Sequence, residues 1–180
     1  YKLYKEIKLR KETQKELVSL ATNDTLTKVF NRRKIENICE EEIKLALRYN
    51  THFSIIFFDL NDFKPINDNY GHHAGDEVLV KIANFISQKI RNSDSFGRWG
   101  GDEFLIVLPH TNINQANSLI ENLQKFISEI NYSFNKNLKV SCSFGSYEYK
   151  NGNNLDDMIK NADKSMYEAK MNHKKKKGLI

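Results

Sequence analysis

The chain predicts an α/β (α+β) fold, a sheet containing an antiparallel hairpin with helices packed around it. Three observations lead there. Ser54-Ile55-Ile56-Phe57-Phe58 is a short run, apolar almost throughout and rich in β-branched and aromatic residues, as a strand covered on both faces requires. Two strand-like runs flank Gly100-Gly101-Asp102-Glu103, and adjacent glycines permit the positive φ of a tight turn. Elsewhere apolar residues recur at helical spacing over longer stretches.

In chain order, residues 1–22 read as one charged helix. Its apolar stripe (Leu3, Ile7, Leu17, Leu20) is broken at Arg10 and Gln14 and is too weak to establish a coiled coil, so the expected role is a linker or signalling helix from an upstream domain. A second helix fits 31–49, with Ile35, Ile38, Cys39 and Ala46 inward. The strand at 54–58 runs into Asp59. A polar loop with Lys64, Pro65, Asn67, Asp68, Asn69 and Gly71 is expected next, then a helix from about Gly75-Asp76-Glu77 through Leu79, Ile82, Phe85, Ile86 and Ile90. The hairpin occupies 95–108 and another amphipathic helix 112–130. Val140, Cys142 and Phe144 alternate with Lys139, Ser141 and Ser143, which predicts a half-buried strand. Leu155, Met158, Ile159, Ala162, Met166 and Ala169 mark a last helix.

The 180 residues suit one domain with a short extension, and 39% hydrophobic with 28% charged content is ordinary for a globular chain. The longest apolar run, Phe104–Leu108, is far too short to span a bilayer. Cys39 and Cys142 match no metal or redox spacing and read as reduced core thiols of a cytosolic compartment. The chain begins at Tyr1 with no signal-peptide pattern and reads as a piece of a longer protein. A membrane span, a disulfide scaffold and a zinc ribbon are thereby excluded. The net charge of +5 favours phosphate-bearing ligands, although Lys174–Lys177 and the Lys-dense N-terminus also read simply as solvated ends.

Asp59 stands at a strand exit and Asp102-Glu103 in a hairpin turn. If the strands are neighbours, the acids meet at one sheet edge, where a hard divalent cation would relieve their repulsion. Each acid alone also reads as a solvated loop residue. Lys64 can reach a phosphate as a point charge, and the backbone N–H groups of Asp62 and Phe63 can assist it. Asn67 and Asp76 offer an amide and a carboxylate that suit a guanine edge. Against this, Asn67 is a common turn residue and Asp76 can cap the helix beginning beside it.

Phe58-Asp59-Leu60-Asn61-Asp62-Phe63-Lys64, Asn67-Asp68, Gly71-His72, Gly75-Asp76 and Arg98-Trp99-Gly100-Gly101-Asp102-Glu103-Phe104 together closely resemble the GGDEF domain of diguanylate cyclases. Asp24-Thr25-Leu26-Thr27 with Asn31-Arg32-Arg33 resembles its opening motif, and Ala162-Asp163 with Tyr167-Glu168-Ala169-Lys170 its closing helix. The resemblance places the domain at 23–175, after the helix 1–22 and before a basic tail at 176–180.

It implies a palm-like fold, shared with the class III nucleotide cyclases: a central, mainly antiparallel sheet flanked by helices. It implies condensation of two GTP into cyclic di-GMP with release of two pyrophosphates. Asp59, Asp102 and the Leu60 carbonyl would ligate Mg²⁺ (or Mn²⁺). Glu103 would assist at the metal or deprotonate the attacking 3′-hydroxyl. Lys64 and Lys170 would hold the β- and γ-phosphates, Asn67 and Asp76 would read guanine, and Leu26 and Leu79 would line its pocket. One active site would need two domains, hence a homodimer. Arg91 and Asp94 match the family's product-inhibition pattern, where arginine can fork guanine O6 and N7; a plain surface ion pair is the other reading.

Three departures stand out. Asn61 replaces a frequent second Asp, Lys28 replaces the usual Gly of the opening motif, and His173-Lys174 replaces a common Gly-Arg. Two other functions compete with an active cyclase. A catalytically silent GTP- or cyclic di-GMP-binding module would usually have lost motif acids. A nucleic-acid-binding domain would need an aromatic-basic stacking pattern that the chain lacks, so no nucleic acid partner is expected.

Overall fold

The structure, a computed structural model, describes residues 2–176; Tyr1 and residues 177–180 of the expected basic tail lie outside the described residues. Ten elements follow in order: α1 (Lys2–Thr22), α2 (Arg32–Tyr49), β1 (Phe53–Leu60), α3 (Phe63–Tyr70), α4 (His72–Lys89), β2 (Ser95–Gly100), β3 (Glu103–Pro109), α5 (Ile113–Ile127), β4 (Cys142–Glu148) and α6 (Leu155–Lys176). The sheet runs β2-β3-β1-β4, with every neighbouring pair antiparallel. The expected antiparallel sheet flanked by helices is therefore present.

β1 is central because all eight of its residues are buried, so it needs cover on both faces and pairing on both edges. One face (Ile56, Phe58, Leu60, Phe104, Ile106, Leu108) packs with the inner faces of α4 and α5. The other (Phe53, Ile55, Phe57, Leu105, Val107) packs with α2 and α6. Phe58 stacks among Phe96, Phe104 and Phe144 with ring centroids 4.8 to 6.1 Å apart, and truncating such a ring costs about 3–5 kcal/mol. Both cysteines are free and buried, and burial pushes the Cys39 thiol up to about 12, with Glu42 and Glu40 adding to it.

Local chemistry sets the element ends. Asn31 caps α2, its side chain accepting from Lys34 N at 2.9 Å, and Asn112 with Gln115 forms a capping box on α5. The loop 23–31 is stitched to the edge strand β2 through Phe30 N to Phe96 O (3.1 Å) and Arg98 N to Phe30 O (2.8 Å), which covers part of the sheet's open edge.

Three expectations are corrected. Residues 63–70 are not a polar loop but the helix α3, and α4 begins at His72 rather than near Gly75. Pro65 is the third residue of α3, where a missing N–H costs nothing. The strand around Val140 starts only at Cys142 and is buried on both faces over Cys142–Gly145, because α5 covers one side and α6 the other. α6 comes close at Gly145, where an added Cβ would lie 2.0 Å from Ala162 O and 2.3 Å from Met166 N.

α1 leaves Leu3, Tyr4, Ile7, Leu17, Val18 and Leu20 exposed. No helix among the described residues is long and apolar enough to cross a membrane.

Candidate active site

The end of β1 meets the β2–β3 turn. Asp59 pairs with Glu103 in register, so the two side chains share the face covered by α2 and α6. Leu60 N–H donates to Asp102 O at 3.3 Å, which ties the turn to the strand. The turn itself is Gly101-Asp102: Gly101 takes φ +53°, while Gly100 remains strand. Trp99 is the extra residue of a bulge. It is held by Phe57 edge-on at 5.8 Å and by the Arg32 guanidinium at 4.4 Å.

Arg98 fixes the turn from outside. Its Nε and Nη2 donate to Gly101 O at 2.9 and 2.7 Å, and its Nη1 pairs with Asp24 Oδ1 at 3.2 Å. Asp24 in turn accepts from Thr27 N (2.8 Å) and Thr27 Oγ1 (2.7 Å). Burial works against the Asp24 carboxylate, but Thr27 and Arg98 outweigh it and hold the carboxyl below its ordinary range. The motif spacing includes Arg98 and Asp24 but assigns them no role; their signal is a buried-edge Arg two residues before a double glycine.

The acids crowd one another. Burial raises the Asp59 carboxyl; the Lys170 hydrogen bond and charge pull it down without cancelling the rise, and Asp102 and Asp163 add to it. Burial also raises Glu103, followed by the charges of Asp102, Asp59 and Asp163. Lys170 on α6 donates to Asp59 Oδ2. Desolvation opposes its charge, yet Asp59, Asp102 and Glu103 hold its ammonium raised. Asp163 lies two turns before Lys170, a spacing that puts both on one side of α6.

Asp59 Oδ1 is buried and has no hydrogen-bond partner among the described residues. An orphaned carboxylate oxygen beside two further acids is what a hard divalent cation relieves. Among the described residues no three His, Cys, Asp or Glu side chains come together as a group that could hold a metal ion by themselves. That donor set fits an ion such as Mg²⁺ or Mn²⁺, which uses one or two carboxylates and takes waters and substrate phosphates for the rest. Asn61 takes a structural place beside Asp59, since its partner Ser143 stands opposite Asp59 in register. It is buried, donating to Ser141 Oγ (3.0 Å) and accepting from Ser143 Oγ (2.7 Å), and so joins the exit of β1 to β4.

Beyond Asp59 the chain turns through Asp62 at φ +58° into α3. The first N–H groups of that helix, from Phe63, have no intrahelical partners, and exposed Lys64 follows them. Asn67 lies in the second turn of α3 against Gly75, where an added Cβ would sit 2.0 Å from Asn67 Oδ1. Asp76, next to Gly75, is exposed and in the second turn of α4, so it is not the cap; Gly71 holds that position. Leu79 is almost fully buried in the core, and Leu26 packs half-buried against the same cluster.

Arg91 and Asp94 stand apart from this site, on the α4–β2 turn. They do not form the simple ion pair: Asp94 Oδ2 accepts from Arg91 N at 2.9 Å.

Acids at the rim of an antiparallel sheet, beside a helix N-terminus and two lysines, make an α/β domain whose rim is chemically suited to phosphates. The profile of the family described as Diguanylate cyclase, GGDEF domain, matches residues 21–176, and the chain belongs to that family. It is 37% identical over 157 residues to the bifunctional diguanylate cyclase/cyclic di-GMP phosphodiesterase MucR of Pseudomonas aeruginosa, covering 87% of this chain and 23% of MucR. Among solved structures it is similar to the active GGEEF domain of a diguanylate cyclase from Vibrio cholerae (33% identity, TM-score 0.75, covering 79% of this chain and 91% of that one). It is also similar to the diguanylate cyclase SiaD of Pseudomonas aeruginosa, solved with its activator SiaC (29% identity, TM-score 0.81, covering 95% and 69%). The chain spans 23% and 40% of the length of the curated relatives MucR and DgcM of Escherichia coli.

Proposed function

We propose that this domain condenses two GTP into cyclic di-GMP and two pyrophosphates, each of two facing domains holding one GTP. The observation that carries the reading is the meeting of Asp59, Asp102 and Glu103 at one sheet edge, between the N-terminus of α3 and Lys170. In each half-reaction a 3′-hydroxyl oxygen bonds the α-phosphorus of the opposite GTP, the bond to the β-phosphate bridging oxygen breaks, and pyrophosphate leaves. Such a transfer needs in-line positioning and charge neutralisation more than covalent help.

The residues divide the work. Asp59, Asp102 and the Leu60 carbonyl would hold Mg²⁺ or Mn²⁺. When bound, that ion neutralises phosphate charge and polarises the α-phosphate. Glu103, raised by burial and then by its acidic neighbours, is suited to accept the 3′-hydroxyl proton. Lys64 and the N–H groups of Asp62 and Phe63 cradle the terminal phosphates. Lys170, which donates to Asp59 here, would hold a β- or γ-phosphate. Asn67 and Asp76 read the guanine N1–H and N2–H₂ edge, which adenine lacks, with Leu26 and Leu79 behind them. Dimers form through α1, whose exposed apolar residues otherwise meet water. Product binds at Arg91 and Asp94 and inhibits. The upstream sensor acts by setting how the two domains face.

The test is incubation at high protein concentration with GTP and Mg²⁺, followed by chromatography and mass analysis. Cyclic di-GMP from the wild type and none from an Asp102→Ala, Glu103→Ala double variant is the expected result. A variant as productive as the wild type would move the chemistry away from the hairpin.

A further inference from the structure

Lys28 is held at φ +63°, a left-handed conformation that lysine rarely adopts and glycine adopts freely. The departure from glycine noted in the sequence therefore leaves the turn intact. Lys28 N–H donates to Asp24 O at 3.0 Å, and the Asp24 carboxylate binds Thr27 twice, so the surrounding turn dictates the conformation. A side chain kept where the backbone favours none points to a use for that side chain.

Its surroundings show what the use is. Lys28, Asn23, Asn84, Arg91 and Asp94 border one groove of about 360 Å³, within the size range of small-molecule sites. Two cations from separate elements thus face a single polar groove. Among the described residues neither Lys28 nor the Arg91 guanidinium is in an ion pair. The one acid there, Asp94, accepts from Arg91 N and from Ser93 Oγ. Amides on the same walls can meet a base edge.

We propose that Lys28 is a phosphate-binding residue of this groove, taking a phosphate of a cyclic purine dinucleotide whose base is forked by Arg91. The inference rests on reading Arg91 and Asp94 as the effector site. It also joins the effector to the catalytic turn: Lys28 and Asp24 share one tight turn, and Asp24 holds Arg98 on Gly101 O.

The test is calorimetric titration of cyclic di-GMP into wild type, Lys28→Gly, Lys28→Arg and Arg91→Ala, each with a saturating non-hydrolysable GTP analogue on the catalytic site. Glycine suits φ +63°, so Lys28→Gly keeps or raises the melting temperature and a loss of affinity is not a loss of fold. The expected result is roughly tenfold weaker binding for Lys28→Gly and near-wild-type binding for Lys28→Arg, since a charged hydrogen bond is being lost or kept. Wild-type affinity in Lys28→Gly, with binding lost in Arg91→Ala, overturns the role of Lys28 and leaves the effector site standing. Weakening in Lys28→Gly alone keeps the groove and Lys28 but overturns the reading of Arg91. No effect in either overturns both.

Discussion

Asp59 and Glu103 face each other across β1 and β3, and both carboxyls are raised by burial and by neighbouring acids. A raised acid favours the fold below its ordinary range and costs stability as pH rises through the folded value. Glu103 therefore burdens the metal-free fold at neutral pH. Glu103→Gln is expected to raise the melting temperature without metal by about 1–2 °C, a small shift because the group is partly solvated, while turnover is lost. Asp24 has the opposite sign. Its lowered carboxyl stabilises the fold above the ordinary carboxylate range, about pH 4, and that stability disappears as pH falls further. In thermal melts from about pH 6 down to about pH 3, the wild type should lose more stability than Asp24→Asn. Gly75 gives a third case. An alanine Cβ there would meet Asn67 Oδ1 at 2.0 Å and Phe63 Cζ at 3.1 Å, both ends of side chains that can yield. Gly75→Ala should fold normally, gaining helix propensity, but should bind GTP about tenfold more weakly because Asn67 is pushed off the base. Unchanged GTP affinity by calorimetry would remove Asn67 from the guanine site.

Among the elements, α6 does most to place Lys170, and it does so through Gly145. The atoms that an added Cβ would strike, Ala162 O and Met166 N, are helix backbone and can move only with the whole of α6. Gly145→Ala should destabilise by about 3 kcal/mol and lower the melting temperature by roughly 5–10 °C. It should also weaken triphosphate binding, since Lys170 lies one turn beyond Met166. Denaturant titration and GTP binding check the two effects. The sequence pattern reveals β1 and the hairpin because a doubly covered strand and a double-glycine turn have distinctive compositions. It conceals α3 because Pro65, Asn67, Asp68 and Asn69 are turn-forming residues, and only tertiary packing of Ile66 and Phe63 makes them helical. It presents β4 as half-buried because serines alternate with apolar residues, yet Ser143 is buried, its hydroxyl satisfied by Asn61.

On the scale of the whole molecule, the candidate site is legible almost entirely as motif: the acids, Lys64, Asn67 and Asp76 all lie on three neighbouring segments. What spacing alone does not show is the frame, namely Arg98 between Asp24 and Gly101, and the glycine contacts that let helices approach. That frame connects α1, through the turn 23–31, to the acidic edge of the sheet, which is where a change in α1 would be felt. Each domain carries one set of nucleotide groups, and the product has two guanines, so the account requires two copies face to face. Fusing a parallel dimeric coiled coil in register ahead of α1 raises their mutual effective concentration to about millimolar, whatever the bulk protein concentration. The measurement is the initial rate of cyclic di-GMP formation from GTP and Mg²⁺ by this fused dimer, over a wide range of protein concentration. The account predicts a specific rate independent of concentration in the fused dimer, rising with concentration in the unfused chain, and absent from fused Asp102→Ala. A fused dimer that binds GTP with Mg²⁺ but forms no cyclic di-GMP would contradict the cyclase reading and leave a nucleotide-binding module.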